Sequence, residues 1–259
     1  MKKIFLLAIS AVAFISLFAQ DRSLYSKDLF VRGNDTLRYR MMKPANYNPK
    51  KKYPVVLFLH GAGERGSDNE AQLTHGWNLF ADSMNRAKYP AFVIFPQCPQ
   101  NISWANVSVN RSAQPYQLEF LSNQPMTKPL MLVSQLMDSL AESGSVNKKK
   151  IYVGGLSMGG MGTFDILWRK PNFFAAAFPI CGGGDSTKAL VYGRKFPIWV
   201  FHGADDPVVD VKNSRRMVAE LQKAKAKVKY TEYPGVKHDS WTNAFAEPEL
   251  LPWLFKQHK

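Results

Sequence analysis

Short apolar runs alternate along the chain with longer segments of helical spacing. Pro54-Val55-Val56-Leu57-Phe58-Leu59 and Ala91-Phe92-Val93-Ile94-Phe95 are continuously apolar, and residues 151–153, 173–180, 196–201 and 228–233 repeat the pattern. Runs of this kind predict strands buried on both faces of a sheet. Residues 70–85, 130–142, 158–168, 211–224 and 249–257 read as helices between and after them. Residues 23–42 carry two short extended patterns around Gly33-Asn34-Asp35, which predicts an antiparallel hairpin at a sheet edge. Strands alternating with helices imply an α/β chain, with a mainly parallel central sheet of about eight strands and helices on both faces.

The ends and one long loop modify this picture. Lys2 and Lys3 precede an apolar run over residues 4–19, followed by Gln20-Asp21-Arg22. That is the pattern of a secretory signal peptide, residues 1–19, and it predicts a secreted or periplasmic protein with one domain over residues 20–259. No cysteine lies near the boundary to carry a lipid anchor, and no later stretch is long enough to cross a bilayer. Residues 97–129 are rich in Asn, Gln, Ser and Pro and too long for a plain connection, so they are expected to shape a pocket. Trp104, Tyr116 and Phe120 are the rings in it that could stack on a sugar or an aromatic acyl group, with Trp104 the first choice for substrate contact.

Lysine and arginine number 34 against 20 acids, a formal charge of +14. A solvated basic surface accounts for this, and attraction to polyanions such as acidic polysaccharide is the sharper reading. Nucleic acid is disfavoured as a partner by the export signal and by the lack of a basic-aromatic motif. The two cysteines, Cys98 and Cys181, both follow strand-like runs, where a bridge and two buried thiols remain equally open.

The chemistry centres on Gly155-Leu156-Ser157-Met158-Gly159, placed directly between an apolar strand and a helix. This G-x-S-x-G pattern lifts a serine out of the sheet on a tight turn whose neighbours must lack Cβ atoms. The turn also aims the Met158 N–H at whatever Ser157 attacks. A base should follow an acid further along the chain. Of the five histidines, His238 lies after the last strand and beyond every acid candidate. His60 and His202 open His-Gly turns, where a structural hydrogen-bonding role is expected. Asp205, Asp206 and Asp210 compete as the acid. The Asp-Pro pair puts Asp206 at the loop apex, Asp205 ranks second, and Asp210 suits a helix cap. The Gly-rich loop after the strand ending at Leu59 is expected to give a second oxyanion donor from the backbone of Ala62.

Five segments together resemble the α/β-hydrolase superfamily: Leu59-His60-Gly61-Ala62-Gly63-Glu64-Arg65-Gly66, Pro96-Gln97-Cys98-Pro99, Gly155-Leu156-Ser157-Met158-Gly159-Gly160, His202-Gly203-Ala204-Asp205-Asp206-Pro207-Val208-Val209 and His238-Asp239-Ser240-Trp241. Within it, the chain is similar to secreted bacterial esterases: the phospholipase/carboxylesterase and polyhydroxybutyrate-depolymerase-like group, and family-one carbohydrate esterases. The resemblance implies an α/β-hydrolase fold and a serine carboxylesterase that needs no metal or organic cofactor. It implies Ser157 as nucleophile, Asp206 as acid, His238 as base, and Ala62 and Met158 as oxyanion donors. The substrate expected from it is a small ester or an acylated polysaccharide. Glu64-Arg65 departs from the small residues of many relatives, which makes Arg65 a further candidate for substrate contact. A serine peptidase and a non-catalytic binding protein are the alternative readings.

Overall fold

A computed structural model describes residues 21–259. The predicted signal peptide, residues 1–19, lies outside them. Ten strands form. In chain order they are β1 (Tyr25–Arg32), β2 (Asp35–Met42), β3 (Tyr53–Leu59), β4 (Phe92–Gln97), β5 (Val107–Asn110), β6 (Gln117–Phe120), β7 (Val146–Leu156), β8 (Ala176–Ile180), β9 (Pro197–Gly203) and β10 (Lys227–Tyr233). Eight of them make one sheet in the order β1-β2-β4-β3-β7-β8-β9-β10. The expected hairpin is β1-β2, which pairs antiparallel and joins β4 antiparallel, and the other six strands run parallel. The architecture is the α/β-hydrolase fold that the motifs implied.

The continuous apolar runs are explained by cores on both faces. Val55, Leu57 and Leu59 point into one core and Val56 and Phe58 into the other, the alternation a pleated strand imposes. The first core is covered by α3 (Lys128–Glu142), α4 (Met158–Arg169), α5 (Ala189–Tyr192) and α6 (Lys212–Lys223). The second is covered by α1 (Trp77–Ala81), α7 (Trp241–Ala246) and α8 (Leu250–Lys256). Each fully buried Leu, Val or Phe contributes about 1.5–3 kcal/mol, so both faces hold the sheet.

Three local expectations change. The helix expected over residues 70–85 is broken into a 3-10 turn, α1 and α2 (Ser83–Lys88), because Gly76 sits at φ +79° and Asp82 caps α2 through the Asn85 N–H. The strand expected over residues 173–180 begins only at Ala176. The strand expected over residues 91–95 runs on through Pro96 to Gln97; Pro96 pairs with Tyr39 of β2, beyond Ile94, the last β4 residue paired with β3. There β4 has a neighbour on one side only, where a missing N–H is tolerated.

After β3 the chain moves to β4 on one side, and after β7 it moves to β8 on the other. The loops leaving β3 and β7 therefore diverge and open a crevice beyond the carboxyl ends of the strands. The β3 loop carries Ala62, and Ser157 follows β7.

Candidate active site

Ser157 sits between β7 and α4 at φ +53°, ψ −117°, backbone that a side-chain-bearing residue rarely adopts. The turn is held by its N–H donating to the Ile180 carbonyl at 2.9 Å. The flanking glycines are required by contact. A Cβ on Gly155 would stand 2.4 Å from the Gly159 carbonyl oxygen, and one on Gly159 only 1.9 Å from the Leu59 carbonyl oxygen. The amino end of α4 is thus pressed directly on the end of β3.

His238 reaches this turn from the loop after β10. Its Nε2 lies 2.9 Å from Ser157 Oγ and its Nδ1 2.7 Å from Asp206 Oδ2. The carboxylate requires a proton on Nδ1, which leaves Nε2 to accept from the serine hydroxyl. The loops bearing Asp206 and His238 meet at Gly203, where a Cβ would lie 2.2 Å from the Lys237 carbonyl oxygen.

The Asp206 side chain is fully buried, while that of His238 keeps 20% exposure. Asp206 Oδ1 accepts the N–H groups of Val208 and Val209, at 2.8 and 3.0 Å. Burial by itself pushes the carboxyl up. Hydrogen bonds from His202 and His238 and the Val208 amide outweigh it and hold Asp206 well below the usual carboxylate range. Asp205 is exposed, and only its N–H is engaged, with the Val236 carbonyl. Asp210 accepts the Lys212 N–H at the start of α6.

The other two strand-end histidines are tied into the scaffold. His60 accepts the Cys98 N–H at Nε2 and donates from Nδ1 to the Gly61 carbonyl. Burial lowers its pKa to about 4, so it is neutral. His202 is fully buried; Nε2 donates to the Val209 carbonyl at 2.9 Å and stands 3.2 Å from Asp206 Oδ2, while Nδ1 meets Ser214 Oγ at 2.7 Å. Sequence reasoning missed the His202 contact with Asp206. Its signal was the four-residue spacing across one tight loop.

A cleft of about 500 Å³ includes Ser157, Met158, Ala62 and Arg65 in its lining. Ala62 opens a 3-10 turn and Met158 opens α4, positions whose N–H groups have no partner inside their own helix. Arg65 is anchored by its Nε donating to the Ala62 carbonyl at 2.9 Å. The loop over residues 97–129 contains the β5-β6 ribbon, whose Val107 and Leu118, with Tyr116, form an apolar wall of the cleft. The expectation that Trp104 contacts substrate is corrected here. Trp104 is fully buried, its indole N–H donates to the His60 carbonyl at 3.0 Å, and it packs on Gly162 in the core. Phe120 packs beside Gly183.

Cys98 and Cys181 are both free and buried. Ligand atoms of Cys181, Asp206 and His238 lie within 4.8 Å of one another. The set does not suit a metal: Asp206 and His238 are bonded to each other, and burial, helped by the Asp206 charge, pushes the Cys181 thiol far up, away from the thiolate a metal needs. Among the described residues, no helix is long and apolar enough to cross a membrane.

Comparison with known proteins finds relatives among esterases and thioesterases. The family model for phospholipases and carboxylesterases matches residues 46–248. A solved thermostable esterase is 37% identical, with a TM-score of 0.81 over 92% of this chain and 64% of its own. Acyl-protein thioesterase 1 of Cryptococcus neoformans is 27% identical over 84% of this chain and 98% of the relative. The bifunctional acetylxylan esterase/xylanase of Neocallimastix patriciarum is 28% identical over 64% of this chain. This chain spans 21% of that enzyme's length.

Proposed function

Because the chain belongs to the phospholipase/carboxylesterase family of α/β-hydrolases, we propose that it is a serine hydrolase that cleaves carboxylic esters through an acyl-enzyme on Ser157. The observation that carries this reading is the unbroken hydrogen-bonded line Ser157 Oγ, His238 Nε2, His238 Nδ1, Asp206 Oδ2, at 2.9 and 2.7 Å.

The steps follow from the donors and acceptors. Ser157 Oγ attacks the ester carbonyl carbon as its proton passes to His238 Nε2. The imidazolium so formed is held by the Asp206 carboxylate, which stays ionised. The N–H groups of Ala62 and Met158 receive the oxyanion, an interaction worth roughly 2.7–4 kcal/mol per donor in such sites. His238 then gives its proton to the departing alcohol. A water, deprotonated by the same nitrogen, opens the acyl-enzyme and restores Ser157. These residues hold and move every proton in the route, which draws on no cofactor.

For the substrate, we propose an acylated polysaccharide that loses acetyl or feruloyl groups. An open cleft of about 500 Å³ with an apolar wall accommodates either acyl group, and Arg65 stands beside it as a contact. The similarity to the acetylxylan esterase/xylanase favours the same class. Export through residues 1–19, one catalytic domain over residues 20–259 and pocket shaping by residues 97–129 complete the proposal.

A fluorophosphonate probe should label the purified protein, and peptide mass spectrometry should place the label on Ser157. Labelling elsewhere, or none together with no turnover of p-nitrophenyl acetate, leaves a binding protein. Acetylated xylan, methyl ferulate and a long-chain acyl thioester, assayed side by side, rank the substrate. A preference for the thioester above a hundredfold would move the assignment toward the chemistry of the thioesterase relative.

A further inference from the structure

Ten of the chain's cations line two cavities at one end of the sheet. β4, β3, β7, β8, β9 and β10 are parallel, so their amino ends share an edge opposite the one that carries Ser157. Two cavities open on that edge. One, about 790 Å³, lies below β4, β3 and β7 and is lined by Lys51, Lys52, Lys88, Lys150 and Lys256, with Tyr53, Tyr89 and Phe255 among the apolar groups. The other, about 390 Å³, lies below β8, β9 and β10 and is lined by Lys170, Arg194, Lys195, Lys227 and Lys259, with Phe174, Tyr192 and Phe196. Neither lining contains an aspartate or a glutamate. The segment from the end of α8 runs between the two: Lys256 lines the first, His258 and Lys259 line the second, and the Lys259 N–H donates to the Lys149 carbonyl at 3.1 Å.

Three of these ten cations are engaged. Lys170 pairs with Asp138 at 2.7 Å, Lys150 Nζ donates to the Phe255 carbonyl, and Lys259 Nζ donates to the Asn172 and Phe173 carbonyls. The other seven make no ion pair among the described residues. Crowded like charges destabilise the compact state, so the fold itself gains nothing from them.

We propose that these two neighbouring grooves bind a chain of acidic polysaccharide, a polyuronate, and hold it on the face opposite the catalytic cleft. The half-buried rings of Tyr89, Phe255 and Phe196 can meet sugar faces, and the cationic rims suit the carboxylates that uronic acids carry at regular intervals. A lipid surface fits less well, because it is flat and takes up protruding rather than recessed apolar groups.

The proposal stands apart from the esterase assignment, and its test reads binding. Full-length chain is titrated with polygalacturonate at low ionic strength by calorimetry. Lys51→Gln, Lys52→Gln, Arg194→Gln and Lys227→Gln combined should weaken binding at least tenfold. The control combines Arg32→Gln, Lys128→Gln, Lys212→Gln and Arg216→Gln, which removes the same charge elsewhere, and should stay within threefold. A melting temperature within a few degrees of the parent shows that both variants fold. Should the first variant misfold, Arg194→Gln with Lys227→Gln should still lose at least threefold. Equal losses in variant and control would reduce the effect to net charge and overturn the site. So would an absence of polygalacturonate binding, or groove-dependent binding confined to phosphatidylglycerol vesicles.

Discussion

The two ends of the parallel sheet are built on opposite principles. At the carboxyl end, a few polar side chains are each fixed by several partners: Asp206 receives two backbone amides and two imidazoles, and Ser157 is locked by glycines that admit no Cβ. At the amino end, most of the cations lining the two cavities make no ion pair among the described residues. One end is shaped for a reaction in which small displacements are costly, the other for many weak contacts with a repetitive partner. The lesson is that net charge and site geometry can be assigned to different regions of one fold.

Substitutions at the carboxyl end test this contrast most sharply. Ser157→Ala should lower turnover of p-nitrophenyl acetate by roughly 10⁴–10⁶-fold, leave the melting temperature within a few degrees, and leave polygalacturonate binding unchanged. A collapse of the fold would make Ser157 structural. Asp206→Asn should cost on the order of 10³–10⁴-fold in kcat, whereas Asp205→Asn, on an exposed side chain, should stay within about twofold. The reverse ranking would reassign the acid.

Smaller effects concern the scaffold beneath the site. Gly159→Ala drives a Cβ into the Leu59 carbonyl and should destabilise by about 3 kcal/mol or more in denaturant titration. His60, with its folded pKa lowered to about 4 against 6.5 when unfolded, binds protons more readily once unfolded. Its contribution is therefore complete above pH 6.5 and is lost as pH falls toward 4, by about 3 kcal/mol in total. Melts over that range should show the loss, and His60→Gln should flatten it. Trp104→Phe removes one buried hydrogen bond and should cost about 1 kcal/mol of stability. Small-ester turnover should stay within about threefold, and a large change would restore Trp104 to the substrate.

Much of the carboxyl end was legible in the sequence because its signals are local. The G-x-S-x-G turn follows an apolar strand, Asp-Pro marks a loop apex, and His238 trails the last strand. Trp104 was misread because an aromatic in a polar loop looks available, and nothing local reveals that its indole turns inward to the His60 carbonyl. The β5-β6 ribbon was hidden because its strands are four residues long and mostly exposed, so the alternation in Val107-Ser108-Val109-Asn110 and Gln117-Leu118-Glu119-Phe120 is too short to stand out. The cationic grooves were illegible for another reason: their lysines come from segments far apart in sequence, and only the parallel register brings those segments to one edge.

The bare backbone contact between Gly159 and Leu59 also bears on how such an enzyme can diversify. With no side chains between them, α4 behind Ser157 and β3 before the Ala62 loop are in direct backbone contact, so neither offers room for retuning. New specificities would have to arise in the ribbon over residues 107–120, where side chains face the cleft and solvent. A library confined to that ribbon would vary what enters while leaving the chemistry untouched.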